Sequence, residues 1–222
     1  MSQPESFAAL LRARASCRGF LSEPVAHEVI AEVLRDAQHV PSWCNSQPWQ
    51  VTACGAEETA RLAVALYEHV GQAGHASDID FPSAYEDEYK ARRRECGWQL
   101  YEAVGIEKGD RVGSAAQMRE NFRLFGAPHF LLITTPKALG PYGVLDCGAF
   151  VTAVLLGLEA RGLGGIAMAS VAGFAPFMRD WFDVGDDRDV LCGIALGHPD
   201  RDAAANRFRT TRAPEGEVVT WR

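Results

Sequence analysis

The period of the apolar positions changes several times along the 222-residue chain, and each change marks an element. Phe7, Leu10 and Leu11 predict a short amphipathic helix over Glu5–Arg14. Val25, Val29, Ile30, Val33, Leu34 and Ala37 follow the 3.6-residue period of a helix with one buried face, which Pro41 stops. A strand is predicted over Trp49–Cys54 and a helix over Glu57–Val70. From 71 to 82 Gly, His, Ser and Asp replace the apolar pattern and predict a loop. Helical patterns resume over about 83–104 and 112–125. HFLLITT, His129–Thr135, lies between Pro128 and Pro136 and predicts a buried strand. Asp146–Arg161 predicts a helix so apolar that it belongs in a core or against another subunit. Gly164–Ser170 and Asp189–Gly197 predict further interior strands, with a short helix at Ala175–Phe182 between them. Strands separated by helices predict an α/β (α+β) fold, a mixed-sheet sandwich flanked by helices, in one domain over 1–222. The tail, 200–222, lacks a core pattern. An extended tail of that length needs a surface, and a second subunit supplies one.

Composition narrows the class of function. Apolar residues make up 47% and charged residues 23%, an ordinary globular balance with material for a sizeable core. The formal charge of −7 argues against non-specific nucleic-acid binding and against docking on anionic membranes. No apolar stretch is expected to reach the ~18 residues of a membrane span, and the N-terminus lacks a signal-peptide pattern. The cysteines, Cys17, Cys44, Cys54, Cys96, Cys147 and Cys192, contain no C-x-x-C pair, and a reducing cytoplasm is expected. The six histidines form no ligand pair, so no metal is expected. There is no Walker A motif and no G-x-S-x-G elbow around Ser170. GLGGIA, Gly162–Ala167, fits G-x-G-x-x-A, but a helix precedes it and a strand follows, the reverse of a dinucleotide turn.

Three segments carry chemistry. RASCRGF sets Arg14, Ser16 and Arg18 at alternate positions beyond a helix, where two guanidiniums and a hydroxyl can hold a phosphate and an electron-rich ring edge. VPSWCNSQPW, Val40–Trp49, packs prolines, Ser42, Asn45 and tryptophans into a rigid polar-aromatic loop. NRFRTTRAP brings Arg207, Arg209 and Arg212 together in the tail. Taken singly, each also reads as a helix end, a turn or a solvated terminus.

In this order the three segments resemble the FMN-dependent nitroreductase family, with its R-R-S-x-R-x-F opening, its A-P-S-x-x-N-x-Q-P-W loop, a glycine-rich strand near Gly164, V-x-G-I-x-x-G-x-P-D at Val190–Asp200 and N-x-F-R-T-x-R-x-P at Asn206–Pro214. Ala15 stands where the family often has a second Arg, and Val40 replaces a small Ala. The resemblance implies a homodimer with non-covalent FMN at the subunit interface. Arg14 and Ser16 would bind the phosphate and ribityl chain, joined by Arg212 or Arg209. Ala15 and Cys17 would lie beside them, and Arg18 near the flavin N1 and C2 carbonyl. Pro41, Ser42 and Asn45 would reach the cofactor from the partner subunit. Ala167 and Met168, with the backbone from Gly165 onward, would lie along the ring. The implied activity is hydride transfer from NAD(P)H to a small aromatic, quinone or nitro-type acceptor by a ping-pong cycle, with chemistry at flavin N5 and no catalytic side chain. Reductive dehalogenation, enone reduction, flavin fragmentation and non-catalytic flavin binding are the alternatives. The variable segment 71–126, with Phe81, Tyr85, Tyr89, Trp98 and Tyr101, is expected to form a lid.

Overall fold

In the computed structural model, which describes residues 2–222, the run at His129 becomes an inner strand of a four-stranded sheet. The strands are β1 (Gln50–Cys54), β2 (His129–Pro136), β3 (Gly164–Met168) and β4 (Arg188–Gly197), in the order β1-β2-β4-β3. The helices are α1 (Gln3–Ala13), α2 (His27–Ala37), α3 (Ala56–Val70), α4 (Asp87–Ala103), α5 (Arg111–Arg119), α6 (Gly140–Glu159), α7 (Ala175–Phe182) and α8 (Glu215–Val218).

The α/β sandwich is present, but the ladder is not mixed: all three strand pairings are antiparallel. β2 and β3 do run in the same direction, as a connection through α6 favours. β4 inserts between them and pairs with both. Parallel pairing is confined to isolated bridges, Ser16 with Gly165 and Ala76 with Phe174.

Alternation along the strands sorts side chains to two faces. Phe130, Leu132, Ile166 and Met168 pack with Leu62 and Leu66 of α3 and Met178 of α7. Leu131, Ile133, Ile194 and Leu196 pack with Ile30 and Val33 of α2 and Phe150, Val154 and Leu158 of α6.

Three departures from the pattern have local causes. The helix predicted over 112–125 ends at Arg119. Leu124 and Phe125 then take positive φ, which turns both inward beside Phe122 into the core, an arrangement no single helical face provides. The end of the expected lid is therefore core. α6 begins before Asp146, since Pro141 sits in its first turn, where a missing N–H costs nothing. The stretch Lys137–Glu159 is long and apolar enough to cross a membrane by length and composition, which corrects the expectation that none is. Its inner face packs on the sheet while Tyr142 and Leu145 remain 59% and 66% exposed. α4, by contrast, buries no residue.

Candidate functional site

Beyond α1 the chain runs along the outer edge of β3. Ser16 bridges Gly165, and the Cys17 N–H donates to the Gly165 carbonyl at 3.2 Å. The approach is close enough to require glycine: a Cβ on Gly164 would meet Cys17 Sγ at 2.8 Å, and one on Gly165 would meet Leu158 Cδ1 at 2.7 Å. These glycines therefore serve packing against the N-terminal segment and α6. Met168 is buried in the core, so only its backbone is available to a ligand, while the Ala167 side chain is exposed. Burial pushes the Cys17 thiol pKa up, and its Sγ donates to the Gly19 carbonyl at 3.1 Å.

Asn206 clasps the tail to this segment. Its Oδ1 accepts from the Arg18 N–H at 2.6 Å, and its Nδ2 donates to the carbonyls of Gly19 at 2.9 Å and Asp200 at 2.7 Å. The sequence pattern contains Asn206 but assigns it no task. Its signal is an amide side chain, able to donate and accept at once, at the start of an arginine-rich segment without periodicity.

Between α1, the 14–18 segment, the tail and Cys96 of α4 lies a groove of about 670 Å³. Arg12, Arg14, Arg18, Arg209 and Arg212 line it with Ser16, and no Asp or Glu does. None of the five takes part in an ion pair among the described residues. Arg209 Nη1 donates to the carbonyls of Asn206 and Phe208, both at 2.8 Å, and Arg212 Nη1 to Thr210 Oγ1 and the Thr211 carbonyl, both at 2.8 Å. Arg207 is held elsewhere, on the Asp202 carbonyl at 2.8 Å. The Arg18 guanidinium lies 5.7 Å from the Phe208 ring centroid, and its Nη1 donates to the Ser16 carbonyl at 3.4 Å. Burial draws its pKa down from the usual arginine value, which leaves it charged at neutral pH. Ala15, Cys17 and Ser16 also line an adjoining cavity of about 270 Å³ with Gly164, Asp200 and Arg209. Arg12 lies outside the sequence motif because it sits on the last turn of α1, two residues before Arg14.

Pro41, Ser42 and Asn45 are not in this groove. Their turn precedes β1, at the opposite edge of the sheet, ~14 Å away by strand spacing alone. α6 gives the same result: the turn contacts Asp146, whereas Glu159 lines the cavity beside Ser16, ~20 Å further along the helix. One protomer does not bring the two halves of the predicted site together.

Among the described residues no group of His, Cys, Asp and Glu is placed to hold a metal, and all six cysteines are free. The nitroreductase family pattern matches residues 11–198, which include the β3-edge segment and the whole sheet. The chain belongs to the nitroreductase family. A 4-nitrobenzoate reductase from Pseudomonas putida is 30% identical over 212 residues, 94% of this chain and 92% of that protein. The FMN- and NADPH-dependent nitroreductase NfnB from sphigopyxis sp. strain HMH superposes with a TM-score of 0.91 at 32% identity, covering 97% of this chain and 98% of that one. NfnB from Mycobacterium smegmatis, solved with NADPH, gives 0.94 at 26% identity with both chains fully covered. This nitroreductase-family chain thus shares its fold with both NfnB structures over 97% or more of its length.

Proposed function

We propose that the chain is a single-domain, homodimeric oxidoreductase that binds FMN non-covalently in the arginine groove. It would carry hydride from NAD(P)H to a nitroaromatic acceptor in a ping-pong cycle. The observation that supports this most is the groove itself: five guanidiniums with no acid among them, in a chain of net charge −7. Such a charge surplus is costly to assemble without an anion to face it. A phosphate monoester brings about −1.5 to −2, and the donor set of guanidiniums and a hydroxyl fits it.

Arg14, Arg209 and Arg212 would hold the phosphate by charge-assisted bonds, and Ser16 the ribityl chain. Arg18, packed on Phe208, would face the pyrimidine edge and stabilise the negative charge that gathers there on reduction. When bound, FMN supplies a ring that accepts hydride at N5 and yields it to a second substrate in the same slot. The protein's task is then to bind, orient and exclude water, and no acid–base side chain is required. Arg12, which the phosphate leaves free, suits an anionic group on the second ligand, such as the extra phosphate of NADPH or an aromatic carboxylate.

Pro41, Ser42 and Asn45 would complete the site from the partner subunit. The outer face of α6, exposed Trp43 beside it, and Val218 and Trp221 of the tail offer the apolar area that a dimer covers. α4 would serve as a lid, since Cys96 lines the groove and Glu95 accepts from Thr211 Oγ1 at 2.9 Å. Six free cysteines suit a reducing cytoplasm.

The test is purification followed by heat release of the chromophore. The expected result is a yellow protein that yields free FMN, is bleached by anaerobic NADPH and is reoxidised by 4-nitrobenzoate. A colourless protein that takes up no added FMN overturns the proposal.

A further inference from the structure

Asp146 is the one buried carboxylate among the described residues, 8% exposed on the first half of α6. It belongs to none of the ion pairs found there. A buried carboxylate without a cation is expensive unless hydrogen bonds satisfy it. Its Oδ2 accepts from the Trp43 N–H at 3.0 Å and the Ser46 hydroxyl at 3.5 Å. Those two donors bracket Cys44 and Asn45, with φ of 50° and 56°, and Gln47 just beyond them has 46°, in a region that non-glycine residues enter at a cost.

The turn's other bonds are mostly its own: the Asn45 N–H donates to the Ser42 carbonyl and the Ser46 N–H to the Trp43 carbonyl, both at 3.0 Å. None of Trp43–Asn45 is buried, and Trp43 is 65% exposed, touching the body through Tyr142 at 5.5 Å between ring centroids. Ser42 Oγ accepts from the Gln47 N–H at 3.0 Å, a bond within the turn. Arg188 Nη2 anchors the far end at the Pro48 carbonyl, 3.1 Å away. The stretch with positive φ is tied to the sheet-packed helix by Asp146.

We propose that Asp146 is a positioning residue: its carboxylate fixes the turn so that Ser42 and Asn45 are presented in one orientation to the partner subunit's cofactor groove. The inference rests on the reading that this turn reaches FMN across the dimer. A floppy turn would have to be ordered on each binding event, and the helix-borne carboxylate removes that cost beforehand.

Two pairs of variants test it. Asp146→Ala removes the acceptor, whereas Asp146→Asn keeps an oxygen for the Trp43 N–H. Trp43→Ala removes the ring but keeps the N–H, whereas Trp43→Pro removes the N–H from outside the core. The extended backbone of Ser42 (φ −139°, ψ 157°) already suits a following proline. Fluorescence titration of FMN should show binding weakened about tenfold in Asp146→Ala relative to wild type and in Trp43→Pro relative to Trp43→Ala, equivalent to ~1.4 kcal/mol. Asp146→Asn should restore most of the affinity. Hydrogen exchange of the cofactor-free dimer should show faster exchange over 43–47 in the weakened variants, with β2 and β4 unchanged, a readout independent of FMN. If Asp146→Ala misfolds, the Trp43 pair decides. Wild-type FMN affinity and unchanged exchange in Trp43→Pro relative to Trp43→Ala overturn the Asp146 inference alone. Failure of the wild type to bind FMN instead overturns the proposed function, and the cross-dimer role of Asp146 with it.

Discussion

Replacing Asp78 by Ala should destabilise the protein by several kcal/mol, although the residue lies in a segment without regular structure. Arg179 of α7 meets it bidentately, Nη2 to Oδ1 at 2.7 Å and Nη1 to Oδ2 at 3.2 Å. The Val190 N–H of β4 also donates to Oδ2, at 2.8 Å. The two side chains are 14% and 15% exposed, so solvent screens the pair weakly. Truncation leaves a largely buried guanidinium whose remaining acid, Asp186, is fully exposed at 3.7 Å, and a strand N–H without its acceptor. Breaking one side of such a pair costs about 3–5 kcal/mol. At ~2–4 °C per kcal/mol for a chain of this size, the melting temperature should fall by about 6–20 °C. Removing both partners, in Asp78→Ala with Arg179→Met, should recover part of the loss, because no buried charge is then stranded. Urea unfolding of wild type, both single variants and the double variant gives the coupling. A loss below ~1 kcal/mol in Asp78→Ala, the range of an exposed pair, would refute the reasoning. Burial, and next the charge of Asp78, raise the carboxyl pKa of Asp189, so its titration should also move down in the variant.

Three further outcomes are expected. Arg209→Ala and Arg212→Ala should each weaken FMN binding about ten- to hundredfold, the loss of a charge-assisted bond of ~1.5–3 kcal/mol, while Arg207→Ala should leave it unchanged; fluorescence titration checks all three. Arg18→Gln should lower the two-electron midpoint potential by roughly 20–60 mV, from ~1–3 kcal/mol of charge interaction, and an unshifted potential in a dye titration would remove Arg18 from the ring edge. His129 accepts from the Val25 N–H at Nε2 (2.9 Å) and faces the Cys54 carbonyl through Nδ1 (3.3 Å), so the neutral ring is the satisfied form, and burial lowers its pKa. Its stabilising contribution is therefore complete above the ordinary histidine value of ~6.5 and is lost as pH falls from there toward the lowered value; urea midpoints between pH 5 and 7 should fall more steeply in wild type than in His129→Gln.

Much of this was legible in the sequence, for physical reasons that differ by residue. His129–Thr135 and Asp189–Gly197 read as strands because burial on both faces leaves a continuous apolar run. Arg14, Ser16, Arg18, Arg209 and Arg212 could be named because three segments in one order resemble the family's motifs, and the structure gathers all five in one groove. Pairing direction was not legible, because a helix between two strands does not reveal that a third strand inserts between them. Nor were Asp146 and Asp78, each an ordinary acid in sequence whose partners lie roughly a hundred positions away. Segment 71–126 read as one variable lid, yet it divides into a clamped loop at Asp78, two helices that bury no residue and the core residues Phe122, Leu124 and Phe125.

The bridge between Ser16 and Gly165 also bears on how the protein behaves in a crowded solution. β3 is an outer strand, and an unpaired strand edge invites another chain to add to it. The segment that carries Arg14 and Ser16 lies across that edge and satisfies the Gly165 carbonyl. At the other margin β1 is only five residues long. Substitutions that loosen the 14–18 segment should therefore show first as a loss of colloidal stability, with aggregation on standing or mild heating, before any change in how the sheet itself unfolds.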